Sequence, residues 1–349
     1  LERPFPIPGW TLPGVMTAGA AQILLKSAGL IARGPTVLAG TGPLLWLLAA
    51  QYLRVGGSIS TILDTTSGDH SLPIGDKLAF LGSPYFGKGL RLLAQVQRRV
   101  RTIRGISELR AIGDQRLEAV AFRRKGGKEE TLPAATLLLH QGIVPNVNLA
   151  MSAGIEHMWD DVQLCWQPVL DDFGNTSVPN ISIAGDGAGI AGAESARARG
   201  MLAGLSALRS LRGEVRPTLA KDARSILARF TRGRQFLDRY YRPSQQFRIP
   251  AGDTIVCRCE EVTAAQVIAA AQLGCPGPNQ LKAFLRCGMG PCQGRLCGLT
   301  VTEMIATVRR VSPQEIGYYR LRPPVKPITV GELAGLPKSD AAIRAVVRG

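Results

Sequence analysis

Six of the seven cysteines in this 349-residue chain fall between Cys257 and Cys297. An odd number of thiols crowded at metal-ligand spacing favours thiolate ligation over a disulfide framework, and with it a reducing compartment, the cytoplasm. Cys257-Arg258-Cys259 reads as an extended segment, in which side chains two apart point the same way and two thiolates converge. The run Cys287-Gly288-Met289-Gly290-Pro291-Cys292-Gln293-Gly294-Arg295-Leu296-Cys297 supplies three more thiols. Its glycines let the backbone curl and bring N–H groups close to sulfur. Thr263-Ala264-Ala265-Gln266 reads as a capping box that opens a helix to about Leu273, and a second helix is expected from about Leu299 to Arg309. Helix N-termini favour negative charge, which suits a four-thiolate [2Fe–2S] centre. The expected ligands are Cys257, Cys259, Cys292 and Cys297. Cys287 is the substitute, and Cys275, in the loop Gly274–Pro278, is the spare. Zinc is the competing metal, although Cys-x-Cys is an unusual zinc spacing.

The first half of the chain has another pattern. Thr36–Ala39 is a short apolar run, Gly40-Thr41-Gly42-Pro43 a turn, and Leu44–Arg54 a helix. Ser58–Leu63 is a second strand, ending at Asp64. This is a βαβ unit whose glycine turn suits a phosphate and whose acid stands where a ribose would need it. The third glycine of the motif is replaced by Leu45. Either an adenine nucleotide binds at Gly40, Gly42 and Asp64, or an inherited fold holds an empty site. A Gly/Pro-rich loop (82–89), a basic helix (90–100), three short strands (106–112, 117–123, 130–132) and a buried strand at Thr136–Leu139 follow. Ile181–Ala184 is expected to be a strand leading through Gly185-Asp186-Gly187, a turn that Asp186 would cap, into a helix from about Ile190 to Leu211.

These elements suggest an α/β, Rossmann-like nucleotide domain over 36–140, with 1–35 and 141–212 belonging to a neighbouring one. A basic, aromatic linker follows at 213–252, then a small helical cysteine domain at 253–311 and a Pro-rich tail at 312–349. Net charge is +16. The basic residues are scattered, without a nucleic-acid recognition motif, so nucleic acid is not the expected partner. An acidic electron-transfer partner or an anionic membrane surface fits the charge as well. The longest apolar stretch, Pro43–Leu53, is short of the roughly 20 residues of a spanning helix. Three histidines, His70, His140 and His157, form no evident general-base constellation.

Cys257-Arg258-Cys259-Glu260 followed by the Gly288–Cys297 run resembles the bacterioferritin-associated-ferredoxin-like [2Fe–2S] domain. Ile181–Gly187 resembles the second flavin motif of two-dinucleotide-binding-domain flavoproteins, which implies FAD at Gly185, Asp186 and Gly187. Pro8–Val15 and His140–Asn146 extend the likeness. Nearly the whole chain resembles the large FAD- and iron–sulfur-containing subunit of multi-subunit amine dehydrogenases, a group with opine oxidases, D-hydroxyproline dehydrogenase and hydrogen cyanide synthase. The resemblance implies electron relay for oxidation of C–N bonds of amino or imino acids. It also implies two partners, a second flavin subunit of the amino-acid-oxidase type and a small ferredoxin-like one, and contact with a membrane through the electron acceptor. The first flavin glycine motif of that group does not precede Leu1, so a fragment, or a complementary half on another polypeptide, is expected. The linker and tail are candidates for a subunit seam. A self-contained NAD(P)H-dependent flavoprotein reductase is the alternative activity.

Overall fold

The computed structural model describes residues 1–67, 72–337 and 339–346; His70 lies outside them. Strands β1 (Val15–Thr17), β2 (Thr36–Thr41), β3 (Thr61–Asp64) and β4 (Arg101–Arg104) come first in the chain. An antiparallel meander, β5 (Ile106–Ile112), β6 (Ala119–Arg124) and β7 (Glu129–Pro133), leads to β8 (Thr136–Gln141). The large sheet is parallel throughout, in the order β1-β8-β2-β3-β4. Every residue of β2, β3 and β8 is buried. Continuous apolar runs of this kind belong to parallel sheets covered on both faces. Helices pack on the face of Leu38, Ile62 and Leu138, and the meander on the face of Val37, Leu63 and Leu139, a Rossmann-like α/β arrangement.

One cover is the helix Pro43–Arg54, with proline at its first position. Leu45, which stands in place of the motif's third glycine, is fully buried beside Leu38, Ile62 and Leu138. The helix packs on the sheet through this leucine. Several elements had no expectation, the first two among them. β1 is only three residues long, and the helix Ala18–Ala28 after it starts in an Ala/Gly run with no apolar period. The presumed loop 82–89 also gives way: Pro84 opens a helix, Pro84–Gln97, that runs through Gly87 and Gly89.

Ile181–Ala184 is not a sheet strand. Its one pairing is an isolated bridge from Ser182 to Asn175, and the two isoleucines are half-buried. Among the described residues no other strand lies alongside to extend that bridge into a ladder. Gly185–Ala188 forms a single 3-10 turn, and the helix begins three residues later than expected, at Ala193–Arg212.

The linker is a strap of three helices, Pro217–Thr231, Arg234–Tyr240 and Gln245–Arg248. Its aromatic side chains are engaged within the chain: Phe236 stacks on Phe80 at 4.4 Å, and Phe247 packs edge-on against Phe5 at 5.5 Å in the nucleotide-domain core. In the cysteine domain, helices Ala264–Gln272, Pro278–Leu285 and Gly298–Arg309 enclose a second core. The capping box at Thr263 and Gln266 is present as read; Pro278–Leu285 was not foreseen. No helix among the described residues is long and apolar enough to cross a membrane.

A buried ionic network joins these parts. Arg3 donates to the carbonyls of Gln163 and Leu164 at 2.6 and 2.8 Å, and its guanidinium stands 4.0 Å from Glu303. Arg248 of the strap reaches the same carboxylate at 2.7 Å. Arg3 and Glu303 are each 4% exposed.

Candidate cofactor sites

The cysteine domain brings five thiols together. Cys257 ends the strand Ile255–Cys257, and Cys297 caps the N-terminus of Gly298–Arg309. Cys287 follows Arg286, which closes the preceding helix in the left-handed conformation (φ 56°) and turns the chain inward. The sulfurs of Cys257, Cys287 and Cys297 lie within 4.8 Å of one another, all three buried. Cys259 is exposed; its sulfur accepts from the backbone N–H of half-buried Cys292 and its thiol is hydrogen-bonded to that of Cys292. The buried trio therefore contains Cys287, which the sequence reading ranked as substitute, while Cys292 stands outside it with Cys259. The reason is local: Cys292 follows Pro291 at the outer end of the glycine loop. Cys275 is buried elsewhere, donating to the Gly277 carbonyl at 3.4 Å. Cys165 lies in another core, where burial pushes its thiol up to about 12.

The three thiols are hydrogen-bonded to one another. Hydrogen bonds from Cys287 and Cys297 pull the Cys257 thiol down to about 2, aided by the backbone N–H groups of Gly288 and Glu260. The same bonds raise its two partners, Cys287 to about 12. A cage that already stabilises one thiolate and presents backbone N–H groups suits metal ligation.

The glycines of the loop have separate duties. A Cβ at Gly290 would fall 2.2 Å from that of Cys259. Gly288 and Gly294 face Tyr319, a residue the sequence reading did not single out. Its hydroxyl lies 3.5 Å from the sulfur of Cys287 and 3.8 Å from that of Cys297. Burial, together with the charge of these thiols, holds the Tyr319 phenol well above its usual range. A cleft of about 530 Å³ opens on the loop, lined by Lys282, Arg320, Arg322 and Met289.

The three residues read as a nucleotide site converge at the C-terminal edge of the parallel sheet, where such folds bind ligands. Gly40 pairs with Asp64 on one side and His140 on the other. Its φ is 140°, and a Cβ there would come 1.6 Å from the His140 carbonyl oxygen, so only glycine fits. Gly42, at φ 111°, precedes the helix. Asp64 is buried and accepts from the Thr66 N–H at 2.9 Å; burial raises its carboxyl above the usual range. Its carboxylate is thus partly spent on its own turn. His140 is buried and bonds Glu2 at 2.5 Å, and Glu2 also accepts from the Gly19 N–H. No sequence signal tied Glu2 to a histidine 138 residues away. Asp186 is exposed on its turn, with the loop after it held by Arg199 donating to the carbonyls of Ala188 and Gly189.

The sarcosine oxidase A3 domain family matches residues 251–336, the cysteine domain and the start of the tail. One of the subunits of opine oxidase from Agrobacterium tumefaciens is 50% identical over 351 residues, covering 99% of this chain and 70% of that protein. This chain belongs to that opine oxidase subunit family. Hydrogen cyanide synthase subunit HcnB of Pseudomonas aeruginosa is 33% identical over 341 residues, covering 94% of the chain and 72% of that protein. Among solved structures, L-proline dehydrogenase from P. horikoshii superposes with a TM-score of 0.63 at 18% identity. It covers 95% of this chain and 56% of that one, a likeness of fold. This member of the opine oxidase subunit family carries a Rossmann-like α/β frame with a cysteine domain on its C-terminal side.

Proposed function

We propose that this chain is the electron-relaying subunit of a multi-subunit dehydrogenase that oxidises a C–N bond of an amino or imino acid, an opine above all. The observation that carries the reading is the convergence of five free thiols in a chain half identical to one subunit of opine oxidase. Cys257, Cys259 and Cys292 would hold a [2Fe–2S] cluster, with Cys287 and Cys297 in competition for the fourth place. Gly185, Asp186 and Gly187 would face FAD, with Asp186 accepting from the ribityl chain; Gly40, Gly42 and Asp64 would take a second adenine nucleotide. When bound, flavin accepts an electron pair and an iron–sulfur centre passes electrons singly, so the two together can split the pair.

The residues of this chain hold and insulate such groups. Burial of Cys257, Cys287 and Cys297 keeps water from sulfur, and the basic walls of the neighbouring cleft favour an acidic electron acceptor. Substrate chemistry is assigned to a second flavin subunit. The polar groups of the nucleotide lobe are engaged internally, His140 with Glu2 and Asp64 with Thr66. Two relatives bear subunit names, which favours this division of labour over a self-contained NAD(P)H reductase.

The test is to co-purify the protein with its neighbour and assay dye reduction on opines, proline analogues and glycine, alongside iron, sulfide and flavin content. The complex should turn over, and the protein without its neighbour should not; turnover of an amine by the isolated protein overturns the scheme. Asp186→Ala in the complex should weaken flavin retention roughly tenfold or more, since a hydrogen bond to a charged group contributes about 1.5–3 kcal/mol. Unchanged flavin occupancy removes Asp186 from the site.

A further inference from the structure

The thiol cage is closed on one side by the ring and hydroxyl of Tyr319. We propose that the Tyr319 hydroxyl donates a hydrogen bond to a cluster-ligating sulfur and thereby raises the reduction potential of the centre. The inference rests on the cage holding a [2Fe–2S] cluster, as proposed above.

Tyr319 is 2% exposed, and its hydroxyl is within hydrogen-bonding reach of two sulfurs, Cys287 at 3.5 Å and Cys297 at 3.8 Å. It serves whichever of these two cysteines takes the fourth ligand place. The ring sits in a prepared seat. A Cβ on Gly288 would meet the ring Cζ at 2.4 Å, and one on Gly294 would meet Cδ2 at 2.5 Å. These two glycines, on either side of Cys292, are therefore empty because an aromatic ring fills the space beside them.

The seat is also fixed from behind. The Asn279 amide donates to the Tyr318 carbonyl at 3.0 Å and its oxygen accepts from the Arg320 N–H at 2.6 Å, gripping the backbone on both sides of Tyr319. The Lys282 ammonium stands 5.0 Å from the ring centroid, a cation on the π-face that makes the phenol a better donor. The neighbouring Tyr318 differs: its hydroxyl donates to the Gly294 carbonyl at 3.3 Å.

The chemistry is a one-electron change with no bond made or broken. Adding an electron increases the negative charge on the ligating sulfur, so the O–H···S bond strengthens on reduction while the proton stays on Tyr319. A bond stronger in the reduced state favours reduction, and hydrogen bonds to sulfur are among the factors that set iron–sulfur potentials.

The test is a dithionite titration of the full-length protein, monitored by its visible and EPR spectra, with iron and sulfide measured in parallel. Tyr319→Phe keeps the ring and removes the donor. Its midpoint should fall by about 59 mV, a tenfold change in the reduced-to-oxidised ratio, with cluster content retained. Tyr318→Phe should leave the midpoint where it is. If Tyr319→Phe holds its cluster at the unaltered potential, the proposal is wrong. Should that variant lose its iron, 3-fluorotyrosine at position 319 decides, because it keeps the shape and is a stronger donor. A raised midpoint then supports the proposal and an unmoved one overturns it. Absence of iron and sulfide from the unaltered protein would instead refute the [2Fe–2S] reading beneath it.

Discussion

Cys257→Ser should remove nearly all visible iron–sulfur absorbance and leave the protein with little iron or sulfide. This sulfur occupies the centre of the thiol group: it is within reach of Cys287 and Cys297 in the buried trio, and its charge also acts on Cys259. It belongs to the proposed ligand set whichever of Cys287 and Cys297 takes the fourth place. Serine at Cys259 or Cys292 should act similarly, whereas Cys275→Ser should leave the spectrum intact. Serine at Cys287 and at Cys297, tested separately, assigns the fourth place, since only the true ligand is indispensable. A Cys257→Ser protein with full iron and sulfide content would show that the cluster is held elsewhere.

Glu303→Ala should cost about 3–5 kcal/mol, the usual penalty for stripping a buried charge pair of one partner. Two buried or nearly buried arginines, Arg3 and Arg248, would lose the carboxylate they share. Urea unfolding of the purified protein checks this, and a loss under about 1 kcal/mol would mean the network adds nothing beyond a surface pair. Glu303 also gives stability a pH dependence. Burial, opposed by Arg248 and then Arg3, raises its carboxyl above the usual range. The folded state therefore binds this proton more readily than the unfolded chain. Its contribution is fully present below the unfolded value and declines as pH climbs through the folded one.

What could be read in advance follows from the range of the interactions. β2, its helix, β3 and the meander were legible because their signals are local: apolar runs, a glycine turn, paired turns. The capping box at Thr263 was visible for the same reason. Ile181–Ala184 misled because an apolar run reports burial tendency but not the neighbour that would complete a ladder. At the thiol site, spacing identified the cysteine group but could not say how it divides. That depends on Arg286 turning Cys287 inward and on Pro291 leaving Cys292 at the rim. Glu2 beside His140 and Tyr319 over the cage were beyond reach, because only the folded chain brings them near their partners.

The segment from Glu2 to Trp10 has a consequence for how the protein reaches this state. Glu2 meets His140, Arg3 meets Gln163 and Glu303, Phe5 meets Phe247, and the Trp10 indole donates to the Ile255 carbonyl at 2.7 Å, across 245 residues. On a translating ribosome these residues emerge well ahead of those partners. The β2–β8 lobe can close when β8 appears, but the strip from Glu2 to Trp10 must wait for the strap and then for the helix bearing Glu303. Long-range closure of this kind slows folding and keeps unpaired apolar and charged groups open in the meantime. Phe5 and Arg3 are the groups left waiting until the strap and the helix bearing Glu303 have been made.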